Sequence, residues 1–249
     1  MKKLILILII FCLFIKCNKN KLKTEINVKT ENVFAQNKYD FGGSVDFRMF
    51  SDSTYNFISI EKSSNYEKTE KYSGFYEIKK DTIYFKPFEF KFVNSNKAVI
   101  KNNFIEFISE DKKFRIEIVK SNLQINNRLD FTNFKDYAIF TYKKENSEYK
   151  PYDIDQNELI ELDKIMWKCF TDNKSKLNAK TRYVKQCVIV TNTKNEIEVW
   201  VNCFCKSDHI EKKFKQNQIG MKDGGNCNIS MKINLTKKNY SELKIAGSA

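Results

Sequence analysis

The sequence predicts an α+β, β-rich protein, in which an antiparallel β meander or small barrel is followed by a sheet domain of one helix and four strands. Three observations predict it. From about residue 40 to 120, apolar residues alternate with polar ones and are punctuated by turn residues. A single stretch, 156–172, repeats its apolar residues at helical spacing instead. After it the alternation returns, with cysteines among the apolar positions. Aromatic residues make up 14% of the chain, with 21 Phe and 12 Tyr against 2 Pro and 7 Gly, a balance that excludes a disordered polypeptide. At 249 residues the chain can bury one large core or two small ones.

The N-terminus has its own logic. Lys2 and Lys3 precede an apolar run, Leu4 to Ile15, of the length of a signal-peptide core and too short to span a bilayer as a helix. The run stops at Leu13-Phe14-Ile15-Lys16-Cys17, which resembles a loose form of the lipobox of bacterial lipoproteins, with Lys16 where that motif usually has a small residue. The resemblance implies export, removal of residues 1–16 as a signal peptide and lipid attachment at Cys17, which would hold the protein on a membrane of the cell envelope. The alternatives, an uncleaved anchor or cleavage elsewhere, also mean export. Cys12, inside the run, reads as apolar filler. Residues 17–37 are polar and aperiodic and read as a lipid-anchored tether. Lysines at 16, 19, 21 and 23 flank the anchor, and each basic residue near an anionic surface adds about 1 kcal/mol of membrane affinity. Lys19, rather than a run of acids, follows close behind Cys17, which points to the periplasmic side.

An antiparallel β domain is expected over 38–125. Val45, Phe47 and Met49 alternate, Ser51-Asp52-Ser53 turns the chain, and Tyr55 and Phe57 alternate again. A second hairpin joins 74–78 to 82–85 through Lys79-Lys80-Asp81. A third joins 98–100 to 104–107 through Asn102-Asn103, residues that tolerate the left-handed backbone of a tight turn. Phe114, Ile116 and Ile118 add a further strand, for about seven in all. The Gly74-x-Tyr76-x-Ile78 and Asp81-Thr82-Ile83-x-Phe85 stretches look like those of lipocalin-like modules in bacterial lipoproteins. That likeness implies a barrel whose mouth takes a hydrophobic ligand; the residues themselves are as well explained by a core filled with Phe and Ile.

Residues 126–152 read as a connecting segment and 153–249 as the α+β domain. Asp155-Gln156-Asn157-Glu158 has capping-box spacing, and Leu159, Leu162, Met166 and Cys169, with Ile165 and Phe170 beside them, line one face of a helix over 156–172. Glu158, Glu161 and Asp163 read as capping and solvated residues, not as an acid/base pair. Strands follow at 183–190, at 197–205 with Val199, Val201, Cys203 and Cys205 on one face and Glu198, Trp200, Asn202 and Phe204 on the other, at 227–235, and at 240–246. One helix followed by four strands is the order of a cystatin-like sheet, a likeness by analogy.

Cysteines set the second half apart. Cys169, Cys187, Cys203, Cys205 and Cys227 all lie there, and an oxidising compartment favours pairing. Cys203 and Cys205 share one strand face roughly 7 Å apart and are poorly placed to bond each other. Cys205 or Cys203 with Cys227 is the leading bridge, and Cys169 on the helix is placed to meet Cys187 or Cys203. Free buried thiols, a zinc site of Cys203, Cys205, His209 and Cys227, and a redox pair are the competing readings. The Cys-x-Cys-x3-His spacing is not a usual zinc spacing, and no Cys-x-x-Cys occurs.

Tyr183-Val184-Lys185-Gln186-Cys187, Glu198-Val199-Trp200-Val201-Asn202-Cys203-Phe204-Cys205, Asp223-Gly224-Gly225-Asn226-Cys227 and Lys232-Ile233-Asn234-Leu235-Thr236, ending in Gly247-Ser248-Ala249, resemble an uncharacterised family of bacterial envelope lipoproteins over residues 150–249. The resemblance implies no reaction. Asp223 to Asn226 reads as a turn before a strand, whereas a phosphate loop would need a helix there. The net charge of +13 falls to +10 without residues 1–16, which carry Lys2, Lys3 and Lys16 and no acid. Those charges are spread along the chain among Glu and Asp, without a nucleic-acid motif, so nucleic acid is not an expected partner. With one His, no Ser-His-Asp set, no metal array and no nucleotide loop, the sequence points away from an enzyme and from any cofactor. It favours a non-enzymatic module that binds an envelope protein or a small ligand. An inhibitor or immunity-type binder, or a thiol-dependent or hydrolytic enzyme using Cys205 and His209, are the alternatives.

Overall fold

The structure, a computed structural model, describes residues 29–39, 42–90, 93, 95–108, 114–123, 129–142, 144 and 147–247. The signal peptide, Cys17 and most of the tether lie outside the described residues.

Eight strands close an antiparallel barrel: β1 (Glu31–Lys38), β2 (Ser44–Phe50), β3 (Thr54–Ser63), β4 (Tyr66–Lys79), β5 (Thr82–Lys86), β6 (Lys97–Lys101), β7 (Phe104–Phe107) and β8 (Arg115–Ser121). Closure comes from β1 pairing with β8, Val33 opposite Ser121 and Ala35 opposite Ile118, across a bulge at Phe34/Ala35. The closed ring leaves no edge for another chain to pair with. The expected turns are where the sequence places them, with left-handed residues at Ser53 (φ 61°), Lys80 (φ 56°), Asn102 (φ 51°) and Asn103 (φ 68°). Two successive left-handed asparagines are what a two-residue hairpin loop matched to strand twist requires.

Alternation buries Phe47, Tyr55, Phe57, Phe85 and Phe107 inside the barrel. Phe88 and Phe90, from the loop after β5, join them, with the Phe57 and Phe90 centroids 4.0 Å apart and Phe88 stacked on Phe85 at 5.0 Å. The interior is thus packed with rings, the filled core that the residues themselves allowed for. Gly74 is needed here, because a Cβ would lie 2.7 Å from the Lys86 carbonyl oxygen and 2.9 Å from the Tyr55 ring.

Two parts of the barrel depart from the sequence expectation. β1 occupies Glu31–Lys38, all but its last residue within the stretch read as tether. Its inward residues are Val33, Ala35 and Asn37, and the buried asparagine breaks the apolar signal. Asn37 is satisfied across the barrel seam, where Nδ2 donates to the Arg115 carbonyl (2.7 Å) and Oδ1 accepts from the Glu117 amide (3.1 Å). The outer part of the β3–β4 hairpin alternates charges on both faces, with Lys62 and Glu67 paired at 3.0 Å across the strands, so it carries no hydrophobic period.

The second half forms a six-stranded mixed sheet from β9 (Tyr137–Thr141), β10 (Lys150–Pro151), β11 (Tyr183–Thr191), β12 (Ile197–Cys205), β13 (Asn228–Asn234) and β14 (Asn239–Ile245). β11 to β14 are antiparallel neighbours in chain order, β10 pairs one end of β11, and β9 lies parallel to β11 over 185–189. Four strands were expected; the two added ones lie in the segment read as a connection. β9 is buried from Tyr137 to Phe140 without a break, so it offers no alternation, and β10 is only two residues long.

Helix α1 (Gln156–Asp172) has the predicted bounds and the predicted capping box, with the Glu158 amide donating to Asp155 Oδ1 (2.8 Å) and the Asp155 amide to Glu158 Oε2 (2.9 Å). Its Leu159, Leu162, Ile165, Met166, Cys169 and Phe170 pack on Cys187, Val199, Val201, Met231 and Ile233 of one sheet face. At one end of the opposite face, Phe214, after the short helix α2 (Asp208–Lys213), covers Ala138, Phe140, Val184 and Phe204.

Barrel and sheet are joined at Arg115, the first residue of β8, which is only 4% exposed. Its Nη1 donates to the Ile139 carbonyl (2.6 Å) and to Glu106 Oε1 (3.2 Å), and its Nε and Nη2 converge on the Lys215 carbonyl, at 2.6 Å from Nε. The guanidinium lies between the rings of Phe104 (3.9 Å) and Phe140 (3.7 Å), one from each module. Glu106 Oε2 in turn accepts from Thr141 Oγ1 (2.7 Å). Burial pushes the guanidinium down to about 10.

Candidate functional site

The cysteines resolve into two groups. Cys205 and Cys227 form a disulfide, with Cα atoms 4.7 Å apart, tying the end of β12 to the turn that precedes β13. That turn takes its shape from Gly224 (φ 111°) and Gly225 (φ 53°), as the Asp-Gly-Gly-Asn run implied. Cys169, Cys187 and Cys203 are free and buried, so no bridge joins the helix to the sheet. Burial pushes the Cys169 thiol up to about 11 and the Cys187 thiol up to about 12, and it raises Cys203 further. These are core side chains beneath α1, kept protonated.

The bridge also removes Cys205 as a thiol partner for His209, and both Cys205 and Cys227 as zinc ligands. His209 sits on α2 and not in a loop, exposed, and no group of metal-ligating side chains occurs among the described residues. Asp163 differs from the expected solvated residue as well. It accepts from Tyr137 Oη (2.6 Å) and pairs with Lys180 at the edge of the helix–sheet layer. Nearby Lys185, 2% exposed, lies opposite Cys203 in the sheet, 5.2 Å from the Tyr137 ring, and faces Asp136 at 3.7 Å, which Lys206 shares at 2.9 Å. Burial lowers both Lys180 and Lys185. Lys180 and Lys185 of this cluster are buried in the layer, while Asp136 and Lys206 are partly exposed.

The open surface is on the other side of the sheet. Past the patch covered by Phe214, the outward residues of β12 and its neighbours bound a cleft of about 430 Å³, within the ~300–1,000 Å³ of small-ligand sites. Tyr149 is the aromatic residue on its lining, and behind it Trp200 packs edge-on against Tyr149 at 5.0 Å and against Tyr142 at 5.4 Å. Strand register sets Lys232 beside Trp200, and Asn234 beside Glu198. The walls are held by a network in which Asn192 Nδ2 donates to Glu198 Oε1 (2.6 Å), Asn234 Nδ2 to Glu196 Oε2 (2.8 Å), and Lys237 pairs with Glu196 Oε1 (2.6 Å). Lys237 and Asn234 hold the Glu196 carboxyl below its usual range, and Glu242, 2.8 Å from Lys232, is lowered by that ion pair. These carboxylates stay ionised and fixed in place.

Sequence reading saw Glu198 and Trp200 as the outward face of a strand but gave that face no role. Tyr149 lay in the supposed connection and Asn192 in a turn. The signal was present only as polar and aromatic residues alternating along a strand face.

Comparison of the chain with protein-family models, with curated proteins and with solved structures gives no match.

Proposed function

We propose that this protein is an envelope lipoprotein, held on a membrane through a lipid at Cys17 and facing the periplasm, that acts as a non-enzymatic binding module. One observation carries the binding role: the cleft on the open face of the second sheet, where the Tyr149 ring, amides and pre-paired charges line one surface. The apolar run that ends at Cys17 and the flanking lysines support the anchor, and the Cys205–Cys227 bridge accords with an oxidising compartment. In this reading the barrel is a support, because its interior is occupied by its own rings.

Growth with an alkyne fatty acid tests the anchor. The wild-type chain is expected to take up the label and to fractionate with membranes, and Cys17→Ala to lose both. An unlabelled wild-type chain would sink the anchor. A photo-crosslinking residue in place of Ser241, which lines the cleft, tests the binding role in the same cells. It is expected to yield adducts that a crosslinker in place of the exposed Glu67 does not, and no adduct beyond that control would sink the role.

A further inference from the structure

We infer that the cleft takes an uncharged carbohydrate chain, an assignment that rests on the binding role proposed above. Its walls carry three carboxylates, Glu196, Glu198 and Glu242, against three ammonium groups, Lys194, Lys232 and Lys237. Lys232 and Lys237 are each already paired with one of these carboxylates. On a chain of formal charge +13 this is a locally neutral surface. A polyanion would meet the carboxylates and a polycation the ammonium groups, so neither gains net attraction. A peptide would need apolar pockets for its side chains, and Ile233 is the one aliphatic residue on the lining.

What remains is a dense set of hydrogen-bond groups of both kinds: three asparagines, carboxylates and hydroxyls. Sugar hydroxyls donate and accept at once and match such a mixture without regard to charge. The Tyr149 ring on the lining suits the apolar C–H face of a pyranose ring. Glu198, held by Asn192 through Oε1 at 2.6 Å, is a carboxylate on the lining that accepts from a hydroxyl donor. Trp200, packed at 5.0 Å against Tyr149, stands next to the lining and reports on it. Asn192 also takes the Lys194 and Glu196 amides on its Oδ1, at 2.9 and 3.0 Å, so the same side chain shapes the turn and aims Glu198.

The test uses the full chain, extracted in detergent, and neutral tetrasaccharides of glucose, mannose, galactose and N-acetylglucosamine, with tetragalacturonate as the anionic control. Calorimetry is expected to show saturable binding of at least one neutral probe and weaker or no binding of the control. The emission change on binding should vanish in Trp200→Phe and persist in Trp167→Phe, because Trp167 lies on α1. Glu198→Gln and Asn192→Ala should each weaken binding about tenfold. The assignment is overturned if no neutral probe binds, if tetragalacturonate binds best, or if both variants bind as the wild type does. Failure of all probes while the Ser241 crosslinker still captures an envelope component removes the carbohydrate assignment alone; failure of both removes the binding role with it.

Discussion

Cys187 shows how a residue that looks chemical becomes structural. Its thiol is held under α1 with its titration pushed up to about 12, and Cys169, on that helix, is pushed up to about 11. In the unfolded chain each thiol ionises near about 8.5. The folded values are raised, so the thiols' contribution is fully present below about pH 8.5 and is lost as pH rises towards the folded values. Lys180 and Lys185, lowered by burial, act in the opposite sense near pH 10, so the thiol effect is isolated by comparing variants. Urea midpoints at pH 8 and pH 10.5 are expected to differ less in Cys187→Ala than in the wild type, by about 2 kcal/mol of the pH-dependent loss. An unchanged difference would mean that Cys187 already ionises in the folded protein. The same residues should resist alkylation at pH 8 until the chain is unfolded.

Among the elements, the Cys205–Cys227 bridge closes a 22-residue span that holds α2 and the Asp-Gly-Gly-Asn turn. Replacing both cysteines with Ala is expected to cost about 3 kcal/mol, mainly through a less constrained unfolded chain. Denaturant titration checks the figure, and reductant should bring the wild type to the level of the variant while leaving the variant unmoved. This level also shows what the sequence made legible. α1 was readable to its ends because its cap and its apolar face agree, and the Asn102-Asn103 loop because few residues other than asparagine and glycine accept two left-handed positions in a row. β1 and β9 were hidden for opposite reasons, one because it buries Asn37, the other because it is buried on both faces. The cleft was hidden because it is assembled from Tyr149, from the Asn192–Glu198 hairpin and from β13–β14, three stretches whose polar residues each look like ordinary solvated turns.

At the scale of the whole molecule, Arg115 decides whether barrel and sheet behave as one body. Its guanidinium supplies the donors for two carbonyls of the sheet module and is the ion-pair partner of buried Glu106. Arg115→Met leaves that carboxylate buried and unpaired, at an expected cost of about 3–5 kcal/mol. Both tryptophans, Trp167 and Trp200, belong to the sheet module, so their fluorescence reports that module alone. In the wild type, fluorescence and far-ultraviolet circular dichroism are expected to follow one unfolding curve. In Arg115→Met the two probes should separate; coincident curves in the variant would show that the modules are coupled by other contacts.

The Arg115 junction has a mechanical meaning as well. β8 pairs with β1, and β1 is the strand that the N-terminal segment enters. Tension between that segment and the outer face of the sheet would run from β1 across the seam to β8, then through Arg115 and the neighbouring Glu106–Thr141 bond to β9, and on through β11 to β12. Arg115 clasps carbonyls on two separate stretches, at Ile139 and Lys215, so a load arriving from the sheet is split between two attachment points. Under pull, those hydrogen bonds share the force in parallel instead of failing one after another.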